Sequence, residues 1–277
     1  MLKPILLLLI VGLILYLYWG NTTIKVTKIR VAGKALPASF SGFVIAHISD
    51  LHNAEFGSKQ KKLLNTIAIA SPDLIAVTGD LIDSRRTDTK KALTFMEGAA
   101  KIAPVYYVTG NHESRIAAYP QFEAALLDRG AVVLRNAEAM IKRGDDRIRL
   151  WGLDDPTFSG EHGRIKNRLI AEKALKSLAR EEDLYTVLLS HRPELFDLYA
   201  AHGIDLALCG HAHGGQVRLP LIGGLYAPNQ GRFPAYQNGL YQKGRTGMVV
   251  SRGLGNSLDP LRINNRPELV VVTLEAE

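Results

Sequence analysis

Short apolar segments alternate with amphipathic helical segments in the first half of the chain, and this alternation limits the possible folds most strongly. Buried strands are predicted at residues 43–49, 73–78 and 105–109, with helices at 59–70 and 89–100 between them. A strand–helix–strand–helix–strand order predicts a parallel sheet with helices packed against it.

The second half of the chain continues with shorter strands and further helices. Helices are predicted at 119–129, 165–180 and 193–201, and strands at 132–135, 139–142, 147–152, 185–189, 205–209, 216–219, 247–251 and 269–274. We find no internal repeat, low-complexity tract or interdomain linker. The sequence therefore predicts one α/β sandwich, a single domain over residues 22–277.

Composition agrees with a folded domain whose basic charge is explained either by a solvated surface or by an anionic partner. Of the 277 residues 47% are hydrophobic, and the formal net charge is +7. Such a charge suits an anionic ligand or an anionic membrane surface. The basic residues are scattered and lack interleaved aromatic residues, so no specific nucleic-acid partner is predicted. Cys209 is the single cysteine, which excludes an internal disulfide and a thiolate zinc cluster.

The amino terminus has the composition of a membrane segment. Residues 4–19 are uncharged and mostly apolar, and they end in Tyr16, Tyr18 and Trp19. As a helix this stretch is about 24 Å long, so the aromatic residues must extend it toward the interface of a hydrocarbon core of about 30 Å. A secretory signal peptide is the alternative, but no small-x-small cleavage site follows. We therefore predict a single-pass membrane anchor at residues 1–21.

The orientation of this anchor is less constrained. Four basic residues follow it and outnumber Lys3 and the terminal amine: Lys25, Lys28, Arg30 and Lys34. The positive-inside rule then favours a catalytic domain on the cytoplasmic face. These four residues can equally belong to the first strand of the folded domain, which leaves the side of the membrane open.

Five polar motifs each follow the carboxyl end of a predicted strand. They are Asp50-Leu51-His52, Gly79-Asp80, Gly110-Asn111-His112-Glu113, Ser190-His191-Arg192 and Gly210-His211-Ala212-His213. Open α/β sheets bind their ligands at this edge. In extended backbone the outer residues of D-x-H and H-x-H point to the same side, so both members of a triplet are expected to reach one metal.

The chemistry of these side chains indicates transition metals. Imidazole, carboxylate and amide oxygen suit Mn²⁺, Fe²⁺ or Zn²⁺ better than Ca²⁺, and we expect Mn²⁺ first. Seven donors are too many for one such ion. Two divalent ions that share a carboxylate fit better.

The ordered set DLH, GD, GNHE, SH and GHAH resembles the calcineurin-like metallophosphoesterase family over residues 44–213. The apolar amino terminus and the segments 213–220 and 251–255 are similar to its bacterial membrane-associated phosphodiesterase branch, which includes pyrophosphatases of the UDP-2,3-diacylglucosamine type. The resemblance implies a sandwich of two central sheets flanked by helices. It also implies the ligands: one metal on Asp50, His52 and His213, the other on Asn111, His191 and His211, and Asp80 between them.

The implied activity is hydrolysis of a phosphodiester or pyrophosphate. Two cations can bridge a hydroxide and hold the phosphate oxygens for in-line attack on phosphorus. The family counterpart of His112 donates a proton or hydrogen bond to the leaving oxygen, and Asp50 or Glu113 could orient this ring. The anchor suggests a lipid-linked substrate at a membrane surface, by analogy alone.

Other functions remain open. A broad phosphomonoesterase or protein phosphatase uses the same centre, and a non-catalytic scaffold keeps the fold but is expected to lose ligands. A nuclease should show a basic groove. Five residues in loops or beside the motifs are candidates for substrate binding, although a solvated surface role explains each of them as well: Arg192, Asn229, Arg232, Tyr236 and Arg252.

Overall fold

A computed structural model of the protein describes residues 2–161, 163–178, 184–256 and 261–277. The helices are α1 (Leu2–Thr22), α2 (Lys61–Ile69), α3 (Thr89–Ala100), α4 (Tyr119–Leu127), α5 (Arg164–Leu178) and α6 (Phe196–Ala201). The strands are β1 (Lys25–Gly33), β2 (Val44–Ile48), β3 (Leu74–Thr78), β4 (Val105–Val108), β5 (Ala131–Val133), β6 (Ala137–Arg143), β7 (Asp146–Gly152), β8 (Thr186–Leu189), β9 (Leu206–Cys209), β10 (Arg218–Leu219), β11 (Gly223–Gly224), β12 (Tyr226–Ala227), β13 (Gly231–Arg232), β14 (Gly239–Lys243), β15 (Thr246–Val250) and β16 (Glu268–Ala276).

The first sheet has the strand order β1-β16-β2-β3-β4-β5. Strands β2, β3 and β4 are parallel and in register, as the strand–helix alternation predicts, with Ile48 opposite Val77 and Thr78 opposite Val108. Their carboxyl ends therefore lie level at one edge. The motifs that begin at Asp50, Gly79 and Gly110 all start from this edge.

The second sheet has the order β14-β15-β9-β8-β7-β6. Strands β7, β8, β9 and β15 run parallel, and Leu189 lies opposite Leu208 at the ends of β8 and β9. The motifs that begin at Ser190 and Gly210 follow these two ends directly. In each sheet the motifs thus follow the carboxyl ends of neighbouring parallel strands.

The two sheets face each other across an apolar core. Ile45 and Ala76 of the first sheet pack with Leu150, Val187 and Leu208 of the second. Helices α2, α3 and α4 cover the outer face of the first sheet, and α5 and α6 cover the outer face of the second. This arrangement confirms the α/β sandwich of two central sheets flanked by helices.

Several elements differ from the sequence-based expectation, and strands β11 to β14 were not predicted. Strand β1, which the sequence analysis raised only as an alternative location of the four basic residues, is a mostly exposed edge strand; it contains Lys25, Lys28 and Arg30 and pairs in parallel with β16. The strand expected at 216–219 is only Arg218–Leu219. The helix expected at 165–180 is Arg164–Leu178, and residues 179 and 180 lie outside the described part of the chain.

Helix α1 projects from the domain with its apolar side chains exposed. Its segment Lys3–Thr22 is long and apolar enough to cross a membrane. The carboxyl end of the helix contacts the domain: the Asn21 side chain donates to the carbonyl of Arg262 at 3.0 Å and accepts from the backbone nitrogen of Arg262 at 2.8 Å. This pair of bonds fixes the end of α1 against the loop before β16.

Candidate metal centre

The side chains of the five motifs converge between the two sheets, although their backbone is not extended. Asp50, His52, Asp80, His211 and His213 all have φ between 44° and 64°, in the left-handed region. The extended backbone assumed for the triplets is therefore absent: the expectation that both outer residues reach one group holds for Asp50 and His52 but is wrong for His211 and His213. The chain turns sharply after each strand, and as a result His211 and His213 point into different groups of ligands. Backbone strain of this kind is typical of functional sites.

Glycines permit the close approach of these turns. A Cβ atom at Gly79, which has φ +81°, would overlap the backbone nitrogen of Gly110. A Cβ at Gly210 would lie 2.5 Å from Oδ2 of Asp50 and would overlap the Ser49 side chain. Any larger residue at either position would push two motifs apart.

The first group of ligand atoms comes from Asp50, His52 and His213. Nε2 of His213 lies 3.2 Å from Nε2 of His52 and 3.3 Å from Oδ1 of Asp50. All three side chains are buried. Ring nitrogens and a carboxylate oxygen that face one another at such distances suit a divalent cation.

The second group comes from Asp80, His191 and His211. Nδ1 of His211 lies 3.0 Å from Nε2 of His191. Nδ1 of His191 lies 2.7 Å from the carbonyl oxygen of Thr78 and donates its hydrogen there. This bond fixes the tautomer of His191 and leaves its Nε2 lone pair directed into the group.

Asp80 lies between the two groups. Its Oδ2 atom is 3.5 Å from Nε2 of His52 in the first group and 3.2 Å from Nε2 of His191 in the second. Its other oxygen accepts a hydrogen bond from the backbone nitrogen of His112 at 2.8 Å, which holds the carboxylate in place. One oxygen of Asp80 is thus within reach of both groups.

Asn111 offers a further oxygen at the cleft. Its Oδ1 atom is buried and accepts no hydrogen bond from the part of the chain that the structure describes. An unpaired buried oxygen costs free energy unless it has a partner, and a cation is such a partner. The donor set, with its converging imidazole nitrogens and this oxygen, therefore fits two divalent metal ions.

Charges within the site are balanced among neighbouring groups. Burial acts to raise the pKa of Asp50, but His213 and His52 outweigh it and hold that pKa well below its usual range. Burial acts to lower the pKa of His191, but Asp80 and Asp50 outweigh it and raise the pKa to about 10. Burial and the Arg192 guanidinium lower the pKa of His211. Binding of a cation must therefore displace a proton from His191.

His112 lies beside the first group, with its ring 4.6 Å from the His52 ring. Its Nδ1 atom accepts a hydrogen bond from the Ser84 backbone nitrogen at 3.0 Å, and Oδ1 of Asp83 lies 3.6 Å away. The sequence suggested Asp50 or Glu113 for the orientation of this ring; in the structure the hydrogen bond to Nδ1 comes from Ser84. No motif marked Ser84, because the contact depends on how the loop after β3 folds back.

Glu113 instead supports the backbone of the site. Its carboxylate accepts hydrogen bonds from the backbone nitrogens of Asp80 at 2.9 Å, Leu81 at 2.8 Å and Gly110 at 2.8 Å. Burial and the nearby Asp80 carboxylate raise the pKa of Glu113 to about 7. Glu113 therefore joins the turns after β3 and β4 and has no direct part in the ligand groups.

A cleft of about 370 Å³ opens above the ligand groups. Asp80, Asn111, His112, His211 and His213 form its floor. Arg85, Arg115, Arg192, Tyr226 and Asn229 are among the residues around its walls. Cationic walls above a carboxylate and imidazole floor suit a phosphate-bearing substrate.

A family model for calcineurin-like phosphoesterases matches residues 43–215, more than half of the chain. The chain belongs to the calcineurin-like phosphoesterase family. It is a metal-dependent phosphoesterase, and its ordered motifs are those that carried the resemblance in the sequence.

Other members extend the comparison. The bovine "Transmembrane protein with metallophosphoesterase domain" is 30% identical over 91% of this chain, which spans only 57% of that protein. Phosphodiesterase YaeI of Escherichia coli is 29% identical over 84% of this chain and 82% of its own length. Among solved structures, TT1561 of Thermus thermophilus has a TM-score of 0.53 at 16% identity, covering 77% of this chain and 91% of that one, so the likeness concerns the fold.

The five predicted substrate contacts of this phosphoesterase lie in different places. Arg192 and Asn229 line the cleft, and both contact Nε2 of His211, at 3.0 and 3.1 Å. The other three are not among the lining residues of the described cleft. Arg232 is exposed on β13 opposite Tyr226, the Tyr236 ring packs against Phe196 and Tyr241, and Nε of Arg252 lies 3.5 Å from Glu268.

Sequence reasoning missed two arginines of the phosphoesterase cleft. Arg115 follows the GNHE motif by two residues, and Arg85 lies in the segment LIDSRR after Gly79-Asp80. Both are exposed and line the cleft. Their positions close to the GNHE and Gly79-Asp80 motifs were the sequence signal that could have identified them.

Proposed function

We propose that this protein hydrolyses phosphodiester or pyrophosphate bonds at a membrane surface, with two divalent metal ions, first of all Mn²⁺, as cofactors. Asp50, His52 and His213 would hold one ion, and Asn111, His191 and His211 the other, with Asp80 shared. The single observation that carries the proposal is the position of Asp80, whose Oδ2 atom lies within 3.5 Å of a histidine in each group.

The cations, when bound, supply the acidity that makes water a nucleophile at neutral pH and the charge that neutralises phosphate oxygens. The chain must orient the substrate and assist the leaving group. His112 suits the second of these roles, because Nδ1 accepts from Ser84 and the hydrogen of the neutral ring is therefore on Nε2. Burial lowers the pKa of His112 to about 4, so near neutral pH the ring offers this hydrogen as a hydrogen bond to the leaving oxygen.

Recognition of the phosphate would use the arginines of the cleft. The Arg192 guanidinium is fixed by Asp155, with Nε 2.6 Å from Oδ2 and Nη2 2.9 Å from Oδ1. This bidentate pair directs Nη1 toward His211. Arg85 and Arg115 add exposed positive charge at the walls, which favours binding of an anionic group beyond the scissile phosphate.

The membrane part of the proposal rests on α1. The helix is long and apolar enough for a single-pass anchor over residues 1–21, with residues 22–277 as the catalytic domain. A relative is named as a transmembrane protein, and another as a phosphodiesterase. A lipid-linked diester or pyrophosphate fits both features. The basic residues Lys25, Lys28 and Arg30 lie in β1 of the folded domain, so the positive-inside argument for the cytoplasmic face loses its basis.

The test compares substrates on the full-length protein in detergent micelles with Mn²⁺. We expect faster hydrolysis of bis-p-nitrophenyl phosphate and of a lipid pyrophosphate than of p-nitrophenyl phosphate, with loss of all activity on chelation. An Asp80→Ala protein is the matched inactive control. Preference for the monoester would overturn the proposed substrate class, and activity that survives both chelation and Asp80→Ala would overturn the dinuclear mechanism.

A further inference from the structure

An apolar hairpin projects from the domain beside the cleft. Strands β10 and β11 pair antiparallel and place Leu219, Leu221 and Ile222 at or next to the turn. These side chains are 41%, 109% and 55% exposed. Single exposed apolar residues are common, but a continuous apolar turn indicates a contact with something outside the fold.

The hairpin is joined to the loop that contacts α1. Val217 forms a β-bridge with Ile263, and the backbone nitrogen of Arg218 donates to the carbonyl of Ile263 at 3.0 Å. The Asn264 side chain then donates to the carbonyl of Arg218 at 3.1 Å and accepts a hydrogen bond from the hydroxyl of Tyr16. A chain of direct contacts therefore runs from the hairpin to α1.

The position of the Tyr16–Asn264 contact along α1 shows which part of the helix the loop approaches. Tyr16 lies six residues before the end of the helix at Thr22, which is about 9 Å along its axis. The loop thus approaches the apolar part of α1 and not only its polar end. Leu261 and Ile263 of the same loop are also exposed, so apolar surface continues from α1 through the loop to the hairpin.

The backbone at the turn favours another residue type. Leu221 has φ +66°, a left-handed conformation that glycine and asparagine adopt more easily. The sequence nevertheless places a large apolar side chain there, fully exposed. A side chain kept at the expense of backbone strain is expected to serve a function.

The surrounding charge is complementary to anionic lipid. Residues 206–258 contain no Asp or Glu, and Arg218 and Arg232 lie in the two adjacent hairpins. Arg232 is exposed on the adjacent hairpin, next to the exposed Phe233. Basic residues close to a membrane surface are attracted to its anionic head groups.

We propose that the hairpin 219–222 inserts into the head-group region of the same bilayer that α1 spans, as a second membrane contact. The proposal rests on the proposed function only in taking α1 as an anchor. Tyr226 and Pro228, which follow the hairpin, line the cleft. The second contact therefore turns the mouth of the cleft toward the lipid surface, so that a lipid-borne phosphate enters from the bilayer.

The test measures the depth of single positions in the full-length protein, reconstituted in vesicles of phosphatidylcholine and phosphatidylglycerol. A Leu221→Cys variant carries an environment-sensitive fluorophore, and spin-labelled lipids quench its emission. The native Cys209 is fully buried and stays unlabelled.

The matched control is Leu127→Cys, because Leu127 is 52% exposed on α4. Leu127 lies beside β5, and β5 and β1 form the two opposite edges of the first sheet, about 24 Å apart. Because β1 follows the anchor helix α1, Leu127 lies on the side of the domain away from the anchor. A Leu8→Cys variant reports α1.

We expect strong quenching at positions 8 and 221 and weak quenching at 127. Quenching at 8 with none at 221 would overturn the second contact and leave the anchor intact. Absence of quenching at both positions would remove the anchor, and the proposal with it. Equal quenching at 221 and 127 would show general adsorption of the domain and would also overturn the proposal.

A second variant separates membrane contact from folding. Leu221→Asn suits the left-handed backbone, so the melting temperature should stay equal or rise. Its rate on a diester carried in vesicles should fall by about tenfold, because part of the surface orientation is lost, while its rate on a soluble diester stays unchanged. An unchanged rate on vesicles, or an equal fall on both substrates, would contradict the proposal.

Discussion

The Nδ1 atom of His112 lies 3.0 Å from the backbone nitrogen of Ser84 and accepts its hydrogen bond. A backbone amide always donates, so the relationship fixes which ring nitrogen carries the hydrogen. Nε2 then carries the hydrogen of the neutral ring. Ser84→Ala removes only the hydroxyl, 3.1 Å from the same Nδ1, and keeps this amide.

We expect His112→Ala to lower turnover by about 10² to 10⁴ while two metals stay bound. The loss should be smaller for p-nitrophenolate, which needs little help to leave, than for an alkoxide. His112→Gln, which can still donate a hydrogen bond, should recover part of the activity, and Ser84→Ala should change it little. Loss of both metals in His112→Ala would contradict the role assigned to this ring.

Asp80 and His213 should differ in their effect on metal content. Asp80→Ala removes the oxygen that lies near both ligand groups, so it should weaken both sites at once. His213→Ala removes a ligand of the first group only and should weaken one site. Metal analysis after dialysis against limiting Mn²⁺ measures this. Equal loss in both variants would argue against a shared carboxylate.

The site shows what the sequence could and could not predict. The convergence of the candidate ligands was predictable because each motif follows a buried strand, and parallel strands bring their carboxyl ends together. The direction of each ligand was not predictable, because His52 and His213 adopt left-handed backbone that no local propensity favours. The role of Ser84 was missed because it arises from a loop that folds back onto His112, a contact between residues far apart in sequence.

The buried pair Arg192–Asp155 should matter for stability as well as for the cleft. Asp155→Ala leaves the guanidinium buried without its carboxylate, which costs about 3 to 5 kcal/mol of unfolding free energy. The exposed pair Lys243–Asp197 is the control, and Lys243→Ala should change the unfolding free energy little, because solvent screens an exposed ion pair. Urea unfolding of the metal-free proteins measures both. Similar losses would contradict the burial argument.

The Arg192–Asp155 pair also predicts that the free energy of unfolding depends on pH. Burial acts to raise the pKa of Asp155, but Arg192 outweighs it and lowers the pKa. The pKa of Asp155 is lower in the folded state than in the unfolded state, where it is about 3.9. The stabilisation by the ionised carboxylate is therefore complete above a pH of about 3.9 and is lost as the pH falls through the folded-state pKa. Urea unfolding between pH 2 and 6 should show wild type and Asp155→Ala converging at the acid end. A constant difference across this range would contradict the prediction.

Removal of the anchor should separate soluble from lipid substrates. A protein starting at Thr22 lacks the bonds of Asn21 to Arg262, yet it retains every proposed ligand. We expect it to be soluble and active on water-soluble esters but less efficient on a lipid-linked substrate in vesicles. Full-length Asn21→Ala, which keeps α1, is the control for the lost hydrogen bonds. Equal rates of truncated and full-length proteins on the vesicle substrate would favour an anchored general phosphodiesterase.

The central claim is a centre of two metals, and anomalous diffraction from crystals grown with Mn²⁺ tests it most directly. We expect two peaks about 3.5 to 4 Å apart. One should be bonded by Asp50, His52 and His213, the other by Asn111, His191 and His211, and Asp80 should contact both. A single peak, or two peaks without a common Asp80 contact, would contradict the account.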